Sequence, residues 1–102
     1  MIRVEVDPAS LALHMQGHAG YDQPGKDIVC AAASMLALTL AIRCRELAEP
    51  GEIALEQLDS GEAHIVIAPK EGREAVYTET FRTIRSGLEA LSAKYPDCVR
   101  FV

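Results

Sequence analysis

Two side chains of this sequence have the types and the neighbourhood to do covalent chemistry. His18 stands within Gly17-His18-Ala19-Gly20-Tyr21, and Cys30 stands within Asp27-Ile28-Val29-Cys30-Ala31-Ala32-Ala33-Ser34, with a glycine-rich loop between them. Asp27 is a good helix N-cap and the apolar run after it reads as a helix, so Cys30 falls at about its third position. A thiol there sits at the positive end of the helix dipole, a field that favours the nucleophilic thiolate. With a histidine within loop reach, the pair is a candidate nucleophile and base. Backbone N–H groups at the helix start, that of Cys30 among them, are expected to stabilise the oxyanion of a tetrahedral intermediate.

Two neighbours have open roles. Asp27 either caps the helix, the favoured reading, or turns toward His18 as the third group of a triad. Ser34 lies four residues after Cys30 on the same helical face, where its hydroxyl either orients a site group or bonds back to the Cys30 carbonyl.

At these positions the chain resembles the ribosomal-processing cysteine proteases of bacteria, the Prp or YsxB-like family. Gly17, His18, Asp27, Cys30 and Ser34 match the family pattern, and the length and order of elements agree with it. The resemblance implies a cysteine endopeptidase that uses a Cys/His dyad, without a metal or cofactor, to remove an N-terminal extension from a large-subunit ribosomal protein. It also implies a homodimer with a mobile loop over the site. Competing readings are a non-catalytic ribosome-associated protein that grips a peptide, and a thiol redox sensor based on Cys30.

The elements that must position the pair follow from periodicity. Ile2, Val4 and Val6, then Leu11, Leu13 and Met15, alternate with polar or small residues and predict a hairpin. The loop Gly17 to Lys26 follows, with Pro24-Gly25 suited to the centre of a type II turn, and its glycines and polar residues offer little to bury. A helix is expected from about Ile28 to Leu47, stopped by Pro50-Gly51. Its first turns are apolar nearly all round, so it calls for cover from the sheet and from a second helix or a partner subunit. Ile53 to Leu58 and Ala63 to Ala68 flank Asp59-Ser60-Gly61 as a second hairpin. Tyr77, Phe81, Ile84, Leu88 and Leu91 form the apolar stripe of a second helix ending before Pro96, and Cys98 to Val102 read as a last strand. The predicted fold is α+β, a two-layer sandwich with two helices on one mixed or antiparallel sheet, in the order ββαββαβ.

Composition sets the outer limits. The 102 residues suit one domain, and 49% hydrophobic with 5% aromatic residues means an aliphatic core. A net charge of -5 with scattered basic residues argues against direct nucleic-acid binding. Three cysteines form neither a disulfide framework nor a zinc pattern and point to the reducing cytoplasm. The apolar run from Ile28 to Ile42 is shorter than a membrane span, so no membrane is expected. Cys44 and Cys98 have no local base and read as structural, and His14 and His64 read as surface or cross-strand residues. Gly17, Gly20 and Gly25 match no phosphate-binding pattern.

Overall fold

A computed structural model describes residues 1–102. In chain order it contains β1 (Ile2–Asp7), β2 (Ala12–Gln16), α1 (Ile28–Leu47), β3 (Ile53–Asp59), β4 (Glu62–Ile67), α2 (Glu74–Lys94) and β5 (Val99–Phe101). The predicted order ββαββαβ is the observed one. The five strands form one sheet, ordered β3-β4-β2-β1-β5, in which β1 and β5 run parallel and the other pairs antiparallel.

Alternation sends Val4, Val6, Leu13, Met15, Ile65 and Ile67 to one face of the sheet, where they are buried with residues of both helices. From α1 come Val29, Ala33, Ala37, Leu40, Ala41 and Cys44, and from α2 come Tyr77, Phe81, Ile84 and Leu88. The predicted stripe on α2 is therefore core, with Leu91 packed at its edge. The helices touch where Gly87 of α2 meets Leu36 of α1, and a Cβ at Gly87 would lie 2.8 Å from Leu36 Cδ2.

At 20 residues, α1 is by length and composition long and apolar enough to cross a membrane, longer than the apolar run alone suggested. In the fold, the sheet and α2 cover two of its sides. Its remaining side leaves Ile28, Met35 and Ile42 exposed. The second hairpin turns on two residues, Ser60-Gly61, because Asp59 and Glu62 already pair across the strands. On the other face of the sheet the ring of His14 stacks on that of His64 at 4.5 Å and meets Glu62 at 3.3 Å, the cross-strand packing expected of them.

The far end of α1 is held by a contact with no local sequence signal. Glu52 is fully buried and accepts from the Arg73 guanidinium (2.9 and 3.0 Å), the Tyr77 hydroxyl (2.8 Å) and the backbone N–H groups of Glu49 and Lys70 (2.9 and 2.8 Å). Arg73 also donates to the Leu47 carbonyl at 2.7 Å. One ion pair thus joins the end of α1, the entry to β3 and the start of α2. Burying a carboxylate is costly unless its lone pairs are filled, and here five bonds fill them.

The Arg73 guanidinium, helped by those N–H groups and the phenol, holds the Glu52 carboxyl far below its ordinary value of 4.5, against the effect of burial. A depressed carboxylate stabilises the fold fully above its unfolded value and loses that contribution as pH falls toward the folded one. Thermal unfolding should therefore be nearly flat above about pH 5 and lose Tm steeply below it. Glu52→Gln should lower Tm at pH 7 by about 10 °C and flatten the acid limb, measured by circular dichroism from pH 7 to 3. An unchanged acid limb in that variant would assign the pH dependence to other carboxylates.

Candidate active site

Asp27 organises the loop and the helix start together. Its Oδ1 accepts from the N–H groups of Val29 (3.0 Å) and Cys30 (2.9 Å), which caps α1. Its Oδ2 accepts from those of Tyr21 (2.9 Å) and Asp22 (3.2 Å), which pulls the loop onto the helix. These four donors, Cys30 first, hold the carboxyl below its ordinary value of 3.8 even though it is buried. Asp27 is thus a cap and a loop anchor, with both oxygens engaged by backbone and neither bonded to His18.

The loop from Gly17 to Lys26 is more tightly seated than its composition suggested. Gly17 N–H donates to the Gly61 carbonyl at 2.8 Å, and the Met1 amine donates to the His18 carbonyl. Ala19 is buried, and the Tyr21 ring stands edge-on to Tyr95 at 5.4 Å. Gln23 to Lys26 form the expected turn, closed by Lys26 N–H on the Gln23 carbonyl (2.9 Å), with Gly25 at φ +85° as a type II turn requires. Gly20 to Lys26 form a continuous exposed stretch, and Gln16 to His18 are exposed as well.

His18 and Cys30 line the same open cleft, of about 1010 Å³, between this loop, α1 and the β3–β4 turn. The His18 ring lies over Gly61, where a Cβ would come within 2.8 Å of Nε2, and the turn needs glycine for its φ of +78°. Cys30 is half-buried and its Sγ accepts from Ala19 N–H at 3.1 Å. No hydrogen bond joins Sγ to the His18 ring in this state, as is common for catalytic pairs without substrate.

Two expectations change. The Cys30 N–H is not free for an oxyanion, because Asp27 holds it, and the same carboxylate offsets the helix-start field that the thiol was expected to feel. Ser34 lines the cleft exposed, and its hydroxyl bonds neither a site group nor the Cys30 carbonyl, unlike Thr39, which does bond back to Met35. Cys44 is buried, and burial pushes its thiol up to about 11, so it stays neutral near pH 7 and out of nucleophilic chemistry.

The floor of the cleft is apolar, with Ile2, Met15, Ala31, Ala37, Leu38, Leu58 and Ala63. Asp22, Asp59 and Glu62 stand around it, and no lysine or arginine does. Sequence reasoning missed the wall from Leu58 to Ala63, which is distant along the chain from both His18 and Cys30. The chain offers it only as a hairpin signal.

A family model described as cysteine protease Prp matches residues 1–100. No curated protein sequence matches the chain significantly. Among solved structures, it is similar to the essential ribosomal processing protease Prp of S. aureus with a covalently linked product peptide, at 26% identity and TM-score 0.78, over 99% of this chain and 97% of that one. The same protease with a substrate peptide aligns at 23% identity and TM-score 0.76, over 100% and 98%. SMU.848 from Streptococcus mutans shares the fold at 22% identity and TM-score 0.68, over 99% and 91%.

If Asp27 ties loop to helix, Asp27→Ala should expose both together. Amide exchange should quicken at Tyr21 and Asp22 as well as at Val29 and Cys30, with Tm lower by about 5 °C. Faster exchange confined to the helix would show that the loop is held by other contacts.

Proposed function

This chain belongs to the cysteine protease Prp family, and we propose that it removes the N-terminal extension of a bacterial large-subunit ribosomal protein with Cys30 as nucleophile and His18 as base. The observation that carries this reading is the convergence of His18 and Cys30 on one apolar-floored cleft. The S. aureus relative of the same fold carries a covalently linked product peptide, which fits a mechanism through an acyl-enzyme.

In the first step His18 takes the Cys30 proton, Sγ bonds the scissile carbonyl carbon, and the carbonyl electron pair moves onto oxygen. Collapse of that intermediate breaks the C–N bond, and the departing amine takes the proton from His18. Water, deprotonated by His18, then hydrolyses the thioester. The step needs neither metal nor cofactor, because the thiolate supplies the nucleophile. The mechanism requires the His18 ring to reach Sγ, and a seated peptide supplies a reason for it to leave Gly61. Gly17 and Gly61 hold the base through their backbones, Asp27 holds the nucleophile, and Ser34 borders the peptide path.

An unstructured peptide suits a cleft this open, which a folded protein could not enter. Apolar residues of the substrate before the cut fit its floor, and basic residues beside them fit Asp22, Asp59 and Glu62. A ribosomal protein is rich in such cations. The three unpaired cysteines accord with a cytoplasmic site of action. The exposed Ile28, Met35 and Ile42 lie along one side of α1 at seven-residue intervals, a stripe suited to cover by a second copy, and a homodimer is the assembly we propose.

Incubation with the precursor ribosomal protein, followed by mass spectrometry, should show loss of the extension. Cys30→Ala should abolish it and His18→Ala should lower kcat/KM by about 10²- to 10⁴-fold, both with native circular dichroism. Cleavage at the original rate by Cys30→Ala would remove the assignment.

Peptides spanning the cut test the cleft itself. Changing apolar residues before the cut to Ser, or flanking Lys to Glu, should each lower kcat/KM by about tenfold or more. The charge effect should shrink between low and high salt while the apolar effect does not. Equal rates for all the peptides would mean that the cleft does not read their side chains.

A further inference from the structure

Attack by Cys30 leaves a negative oxygen on the substrate carbon, and the chain must supply a donor for it. The first place to look is the helix start, where the N–H groups of Val29, Cys30 and Ala31 are all engaged. Asp27 Oδ1 holds the N–H groups of Val29 and Cys30, and the Asp27 carbonyl holds that of Ala31 at 3.1 Å. Freeing the Cys30 N–H would strip a donor from a buried carboxylate, which is costly.

One backbone donor already touches the reacting atom. Ala19 N–H points at Cys30 Sγ from 3.1 Å, and we propose that it is the oxyanion donor of this protease. The inference rests on Cys30 being the nucleophile. Its physical basis is the movement of charge in the step. Before attack the negative charge is on sulfur, and after attack sulfur is a neutral thioether while the charge sits on an oxygen two bonds away. Thioether sulfur is a poor acceptor and an oxyanion is a strong one, so the N–H follows the charge from S to O by a small rotation. A donor that binds the transition state better than the ground state lowers the barrier.

The position is also held in advance of the reaction. Ala19 is buried, its predecessor's carbonyl accepts from the Met1 amine, Gly17 is bonded to Gly61, and Tyr21 and Asp22 are bonded to Asp27. The N–H groups of Gly17, Tyr21 and Asp22 are therefore committed elsewhere, while that of Ala19 is directed at sulfur. A preorganised donor of this kind needs little rearrangement when the charge develops.

The test replaces the Ala19 N–H with an ester oxygen, a change that also weakens the His18 carbonyl as acceptor from the Met1 amine. The full chain is assembled by ligating residues 1–29 to 30–102 at Cys30, with the His18–Ala19 amide replaced by an ester in one product and retained in the other. The ester protein should lose about 10²- to 10³-fold in kcat on a cleavable peptide with KM little changed. Its rate of alkylation by iodoacetamide, which forms no oxyanion, should stay within about threefold of the all-amide protein across the pH range. A kcat within about fivefold overturns the proposal, and so does an equal loss in kcat and in alkylation, which would show that the N–H serves the thiolate alone. An all-amide protein that neither cleaves nor forms a thioester would instead overturn the nucleophile assignment, and this proposal with it. The unmodified protein gives an independent reading: when a peptide aldehyde adds to Cys30, the Ala19 amide proton should move downfield. If the Cys30 amide proton moves and that of Ala19 does not, the donor is Cys30.

Discussion

The geometry of the cleft depends on one carboxylate. Asp27 is buried and gathers four backbone N–H groups, two from the first turn of α1 and two from the loop before it. A buried charge demands a full set of donors, and this set can be completed only if the loop folds back over the helix start. Cys30 is then fixed beneath Ala19, and His18 is carried to the turn at Gly61. The Cys30 thiol, the Ala19 N–H and the His18 ring thus owe their neighbourhood to one side chain. The need to cap a helix and the need to close a loop are met by the same side chain.

The opposite end of α1 follows the same logic with different partners. Glu52 and Arg73 fill each other's bonding capacity and take in the Leu47 carbonyl, the Tyr77 hydroxyl and two loop N–H groups. Connections at an end of the sheet cannot satisfy their backbone through strand pairing, so a buried ion supplies the missing partners. With both ends held, α1 is a rigid rail between sheet and α2. The loop's longest exposed stretch then runs from Gly20 to Lys26, beside the cleft that an incoming peptide would enter.

Charge and shape divide the recognition of such a peptide. The apolar floor gives up area to a substrate side chain regardless of salt, while Asp22, Asp59 and Glu62 act at longer range on cations. A net charge of -5 over the whole chain extends that attraction beyond the cleft and raises encounter rates with basic partners.

Much of this protein was legible in its sequence because short-range chemistry enforces it. Period-two alternation marked the strands and the four-and-three spacing marked α2. Asp27 announced a helix start, which put Cys30 in the first turn. Pro24-Gly25 announced a turn that the backbone adopts. Each of these signals works through residues within a turn or two of one another. The tertiary structure alone decided what required distant segments to meet: the seating of the His18 ring on Gly61, and the pairing of Glu52 with Arg73 and Tyr77. It also decided that the Cys30 N–H goes to Asp27 and the Ala19 N–H to the Cys30 sulfur, the arrangement on which the proposal of Ala19 as oxyanion donor rests. A side chain of Asp type declares that it will accept hydrogen bonds, but which donors reach it, and which remain for substrate, depends on where the chain has room to return.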